Sequence, residues 1–182
     1  MLHVRLAAIG LGAVCAAGQD FYAIEPPEPD GYVALYDIAD DGSAMAGALY
    51  SRDVTVPGGW VASAVRWTRD RGIEHLPVPG GVKALAAAVS GDGRVFCGTS
   101  NQGDDEPDEA WQWSEEEGLE FLPRFSEWEY AIAHHLSTDG SLAVVYTAVF
   151  DLDLFETSLW RRGEAPVRFD PPEGLDEYFI TG

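Results

Sequence analysis

Lysine is almost absent from this chain. Lys83 is the only one among 182 residues, and 31 acidic residues stand against 11 basic ones for a formal net charge of −20. Such a surface repels a phosphate backbone or an anionic bilayer, which argues against nucleic-acid binding and against attachment to acidic lipid. Cysteine is nearly as scarce: Cys15 lies in a leading apolar segment and Cys97 in the run Val95-Phe96-Cys97. Once the leader is gone a single thiol is left and no internal disulfide can form, so Cys97 reads as core filling. No apolar run reaches the roughly 20 residues of a membrane-spanning helix. No phosphate-binding loop, dinucleotide fingerprint or Gly-x-Ser-x-Gly elbow occurs either.

Residues 1–18 have the order of an export signal. Met1–Arg5 is short and slightly basic, Leu6–Ala17 is apolar or small throughout, and Ala16-Ala17-Gly18 supplies small residues for cleavage. Gly12 and Val14 do not suit a lipid attachment at Cys15. The expectation is a signal peptide over 1–18, a single repeat domain over 19–182, and a secreted, extracellular or periplasmic location.

What is abundant is punctuation. There are 20 glycines and 11 prolines, spaced through a chain that is 46% hydrophobic, which favours many short strands over a few long helices. Asp41-Gly42, Asp92-Gly93 and Asp139-Gly140 each interrupt segments of strand character. Asp-Gly suits a tight hairpin because glycine accepts the positive φ that primed turns require. A tryptophan follows each hairpin, at Trp67, Trp113 and Trp160, 46 and 47 residues apart. The distance from the turn Asp to the Trp is 26 residues in the first copy and 21 in the others, so the first carries five extra residues, placed at Val56–Trp60. A glycine follows each Trp (Gly72, Gly118, Gly163), and nine residues after each Trp comes Leu76, Leu122 or Phe169. One unit therefore reads strand, Asp-Gly turn, strand, variable loop, Trp strand, Gly turn, strand. The copies occupy about 31–78, 84–124 and 131–171. Phe21–Pro27 reads as a further fourth strand. A lone unit cannot bury its apolar face; stacked units can, with each Trp on its neighbour.

These residues resemble a bacterial extracellular repeat family called HAF. There an Ala-Ile-Asn-x-x-Gly-x-Val-Val-Gly segment precedes a His-Ala-Phe-x-Trp. Ala88–Gly98 is similar to the first part, while Ser63-Ala64-Val65-Arg66-Trp67 and Glu109-Ala110-Trp111-Gln112-Trp113 are similar to the second. The third copy departs: Thr157-Ser158-Leu159-Trp160 lacks the Ala, Val145 replaces the closing Gly, and no copy has the His. The resemblance covers nearly all of residues 21–170. It implies export and a propeller-like β fold, and it supplies no catalytic residues.

The expected fold is all-β, a propeller-like array of three four-stranded repeats plus partial end strands, with a β-trefoil as the alternative. Propellers usually close with about four or more blades, so the array could be open or be completed by a second copy as a homo-oligomer. No residue is assigned a catalytic, cofactor or metal role. His75 sits in a fourth strand, and His134-His135 are adjacent on a strand, so alternation would send them to opposite faces. Two acidic loops, Asp104–Glu109 and Asp151-Leu152-Asp153, could hold calcium through hard oxygen ligands, but lack EF-hand spacing. Trp60 and Trp128 near turns could form a platform for a sugar or a partner. The function expected is a secreted, non-catalytic scaffold binding a protein or a glycan. A carbohydrate-binding module is the alternative and an extracellular hydrolase the less favoured reading.

Overall fold

The computed structural model describes residues 31–101, 107–122, 130–149 and 154–168, with Ile24, Pro26 and Gly103 besides. The segment 1–18, Cys15, Trp128, Phe169, all but Ile24 and Pro26 of the strand expected at Phe21–Pro27, residues 104–106 of the first acidic loop and the whole of the second lie outside them. Twelve strands are described. The first unit holds β1 (Tyr32–Ile38), β2 (Ala44–Arg52), β3 (Trp60–Thr68) and β4 (Gly72–His75). The second holds β5 (Lys83–Val89), β6 (Val95–Asn101), β7 (Glu109–Ser114) and β8 (Gly118–Phe121), and the third β9 (Tyr130–Leu136), β10 (Ala143–Val149), β11 (Leu154–Trp160) and β12 (Val167–Arg168). Inside each unit, strands pair antiparallel in sequence order, giving three four-stranded blades. The first strands β1, β5 and β9 are neighbours. Among the described residues the sheets do not close, so these twelve strands do not adopt the threefold closure of a trefoil.

The hairpins differ in detail from a two-residue primed turn. Gly42 N–H donates to the Ala39 carbonyl (2.8 Å) and Ala39 N–H to the Ala44 carbonyl (2.9 Å), so the turn begins two residues before the Asp. Ser90/Gly93/Val95 and Ser137/Gly140/Leu142 repeat that pattern. Glycine has φ of 69°, 73° and 69° at Gly42, Gly93 and Gly140, and the following strand begins shortly after, at Ala44, Val95 and Ala143. The turn Asp adds a bond of its own: Asp41 accepts from Ser43 N–H, Asp139 from Ser141 N–H.

The five extra residues of the first unit are not in the loop. Strands β2 and β3 are nine residues each, against seven and six for β6 and β7, whereas the connections 53–59 and 102–108 are equally long. The alternating side chains around Tyr50 and Val61 extend the ladder until Pro57-Gly58-Gly59 caps it, with Arg52 paired to Trp60. The first hairpin therefore stands out beyond its counterpart.

Packing between blades sets large side chains against small ones. Trp111, Trp113 and Phe96 of the second blade lie against Ala44, Ala46 and Ala64 of the first, joined by Leu76. Trp160 and Val145 of the third lie against Ala88, Cys97 and Ala110 of the second, joined by Leu122. Alternation gives each sheet a bulky face and an alanine face, so the blades interdigitate. Burying one such Trp stabilises by about 5 kcal/mol at most. Polar clamps supplement the contact. Arg66 lies 5.3 Å from the Trp113 ring centroid and pairs with Glu115, and Gln112 donates to the Gly140 carbonyl (2.7 Å). Single parallel pairings, Ala62 with Lys83 and Asp108 with Tyr130, link successive blades at equivalent places.

Candidate functional site

Each innermost strand is interrupted at the same place. In β1 the register passes from Leu35 to Asp37, in β5 from Ala86 to Ala88, and in β9 from Ala133 to His135. One residue is extra in each: Tyr36, Ala87 and His134. Each stands five residues before its turn Asp. Such a bulge re-aims a side chain and increases local twist. It also brings backbone close: a Cβ at Gly47 would run into the Ala34 carbonyl, and one at Gly98 into that of Leu85. That explains glycine in the second strand of the first two units; Val145 occupies the place in the third.

All three bulged residues line one cleft of about 640 Å³ between the innermost strands. Ile38, Leu85 and Val89 give it apolar walls; Asp40, His135 and Thr138 give it polar ones. The bulge overturns the alternation expected for His134-His135. Both rings line the cleft, with centroids 6.1 Å apart, and His134 also meets the Tyr146 ring edge-on at 5.2 Å. Burial, with His135 beside it, holds the His134 imidazole below its ordinary pKa, which favours the neutral ring at neutral pH. His75 lies elsewhere, on β4 opposite Val65.

The Asp37 carboxylate is occupied by backbone, accepting from Val89 N–H and Ile38 N–H at 2.9 Å each. It ties the first blade to the second. Cys97 is fully buried, and desolvation pushes its thiol far above the usual range, which keeps it in the uncharged form. At the described edge of the acidic loop Asp104–Glu109, Asp108 is only 7% exposed and accepts from Lys83 Nζ and Asn101 Nδ2, both at 2.9 Å. That carboxylate is paired with Lys83, the single lysine of the chain. Among the described residues no three His, Cys, Asp or Glu side chains are grouped to hold a metal.

Beside the cleft, β1 and the long β2–β3 hairpin share an aromatic cluster that spacing alone did not assemble. Tyr32 stacks on Tyr50 (centroids 4.6 Å, interplanar 7°), Trp60 meets Tyr32 edgewise at 5.6 Å, and the Tyr36 and Tyr50 hydroxyls are 2.8 Å apart. Tyr32, Tyr36 and Trp60 are 50%, 48% and 40% exposed, large fractions for rings of this size. Only Trp60 of this group was singled out from the sequence. The others come together only through strand register, with Tyr32 opposite Tyr50.

No protein-family model matches the chain, and no curated protein matches it. Solved structures do. The β-propeller domain of the Trilobed protease from Pyrococcus furiosus, which has an open velcro topology, superposes with a TM-score of 0.53 at 11% identity, over 79% of this chain and 44% of that one. These are propeller blades. TolB from Acinetobacter baumannii gives 0.54 at 17% identity over 81% of this chain and 34% of that one. A putative TolB from Agrobacterium tumefaciens gives 0.52 at 14% over 75% and 48%. The blade array thus spans less than half the length of each, and the likeness is one of fold. Among the described residues no helix is long and apolar enough to cross a membrane.

Proposed function

We propose that this chain is a secreted, non-catalytic propeller scaffold of the HAF-repeat type, which holds a protein or glycan partner on its innermost strands. The observation that carries the reading is a repeated frame with a varied side chain. The bulge recurs in all three blades, while the residue it aims into the cleft is Tyr36, Ala87 and His134 in turn. A constant backbone presenting variable side chains suits recognition. A hydrolase is less well supported, because Asp37 is spent on backbone amides and Cys97 is sealed from solvent.

The test is the variant Ala87→Arg, which fills the cleft from an edge-free position without touching the blade cores. Wild type and variant are screened against glycans and exported proteins, and for turnover of ester, peptide and glycoside substrates. The scaffold reading expects a ligand whose binding the variant loses, and no turnover. Turnover that disappears in His134→Ala or Asp40→Asn would replace it with an enzyme. A carbohydrate-binding module is the second reading, favoured by the exposed Trp60 with Arg52 opposite it and the Tyr36–Tyr50 hydroxyl pair nearby.

A further inference from the structure

We infer that the tip of the β2–β3 hairpin is a carbohydrate-binding platform, which takes a pyranose ring of a polysaccharide on Trp60 and Tyr32 and its hydroxyl or carboxylate groups on Arg52. This rests on the binding-scaffold reading and names a ligand class and a place for it. Tyr50 and Arg52 are two apart on β2, Tyr32 pairs with Tyr50, and Trp60 pairs with Arg52, so all four side chains emerge on one face. In sequence along that face come the Tyr36–Tyr50 hydroxyl pair, the rings of Tyr32 and Trp60, and the exposed Arg52 guanidinium, which has no partner among the described residues. Among the described residues only this hairpin is lengthened, and of these groups Arg52 and Trp60 stand in its added length.

The ligand class follows by comparing chemistries. Stacked nucleic-acid bases would suit the rings, but a net charge of −20 repels their backbone. An ammonium ligand needs a gap between aromatic faces. Here Tyr32 and Tyr50 already touch face to face, and Arg52 beside Trp60 would repel the cation. A protein partner at this spot alone would find one hairpin tip, well short of the roughly 800 Å² each side contributes to a standard interface. A pyranose has one flat face of C–H bonds polarised by ring oxygens, which an aromatic face attracts through its negative quadrupole. Its rim of hydroxyls needs donors and acceptors at the edges of the platform, where the Tyr hydroxyls and Arg52 stand.

The experiment is affinity electrophoresis of the full chain through gels containing soluble polysaccharides. Neutral ones (xylan, hydroxyethylcellulose, dextran) and acidic ones (polygalacturonate, alginate) are both used, with folding of every variant checked by thermal melting. Wild type should be retarded by at least one. Trp60→Ala should weaken that retardation at least about fivefold, the loss of one aromatic contact, and Trp60→Phe should restore most of it. Arg52→Ala should weaken acidic polysaccharides more than neutral ones, and Val54→Ser on the adjoining loop should change nothing. Tyr32→Ala serves if Trp60→Ala does not fold. No retardation of wild type by any polysaccharide, or retardation indifferent to Trp60→Ala, overturns the inference. So does binding of a proline-rich peptide, without polysaccharide, that depends on Trp60. If Ala87→Arg abolishes the polysaccharide retardation while Trp60→Ala does not, the platform fails and the scaffold reading stands. Polysaccharide retardation lost in Trp60→Ala but kept in Ala87→Arg leaves the platform standing and removes the cleft.

Discussion

Trp160 is 1% exposed and packs against the alanine face of the second blade. Trp160→Ala should cost about 3–5 kcal/mol, the range for emptying a site of that size, read from urea unfolding. Asp139 behaves differently because it acts at the surface. The Ser137 hydroxyl, and after it Ser141, hold its carboxyl at about 2, against 3.8 for a free group. A depressed pKa contributes stability that is present above the unfolded value and is lost as pH falls through the folded one. The melting temperature of Asp139→Asn should therefore lie below wild type above about pH 4, and the two should converge between about pH 4 and pH 2. At this scale the sequence was readable wherever a residue type has one job. The left-handed glycines and the buried tryptophans are such residues. His134 and His135 were misread because strand alternation holds only until a bulge interrupts it, and no residue type announces a bulge.

Bulge and glycine form one device at the scale of the element. In Gly98→Ala the new methyl meets the Leu85 carbonyl, which is backbone and cannot swing aside. We expect a loss of about 1–3 kcal/mol, as for overpacking, by denaturant unfolding, whereas Val145→Gly in the third unit should open a small void instead. The five added residues of the first unit teach a related lesson. Counting from Asp41 to Trp67 reveals their number. Whether they loop out or lengthen the ladder depends on pairing, and Arg52 finds Trp60 only because both strands twist together. The aromatic cluster was illegible for the same reason: Tyr32, Tyr50 and Trp60 are distant in sequence and meet only through strand register.

Across the whole molecule, charge and blade contacts act together. Lys83 ties the start of β5 to Asp108, whose backbone in turn pairs with Tyr130 of the next blade. Breaking that pair with Lys83→Met leaves a buried carboxylate unmatched. We expect a loss of about 1–3 kcal/mol, below the range for a fully buried pair because Lys83 is a third exposed. The double variant Lys83→Met with Asp108→Leu should recover part of it. Solubility should pass through a minimum near the sequence pI of 4.2, where self-repulsion vanishes, as turbidity against pH would show.

The amino-acid sequence by itself determined that the chain is all-β, that its unit recurs every 47 residues or so, and which glycines and tryptophans anchor each copy. Those features are local or periodic, and period is carried along the chain. Tertiary structure alone decided that the described blades form an open array, that three bulges share one cleft, and that four aromatic side chains meet where β1 borders the β2–β3 hairpin. Each of these depends on register and on contacts between residues far apart in sequence, and a one-residue slip in pairing would turn every side chain to the other face.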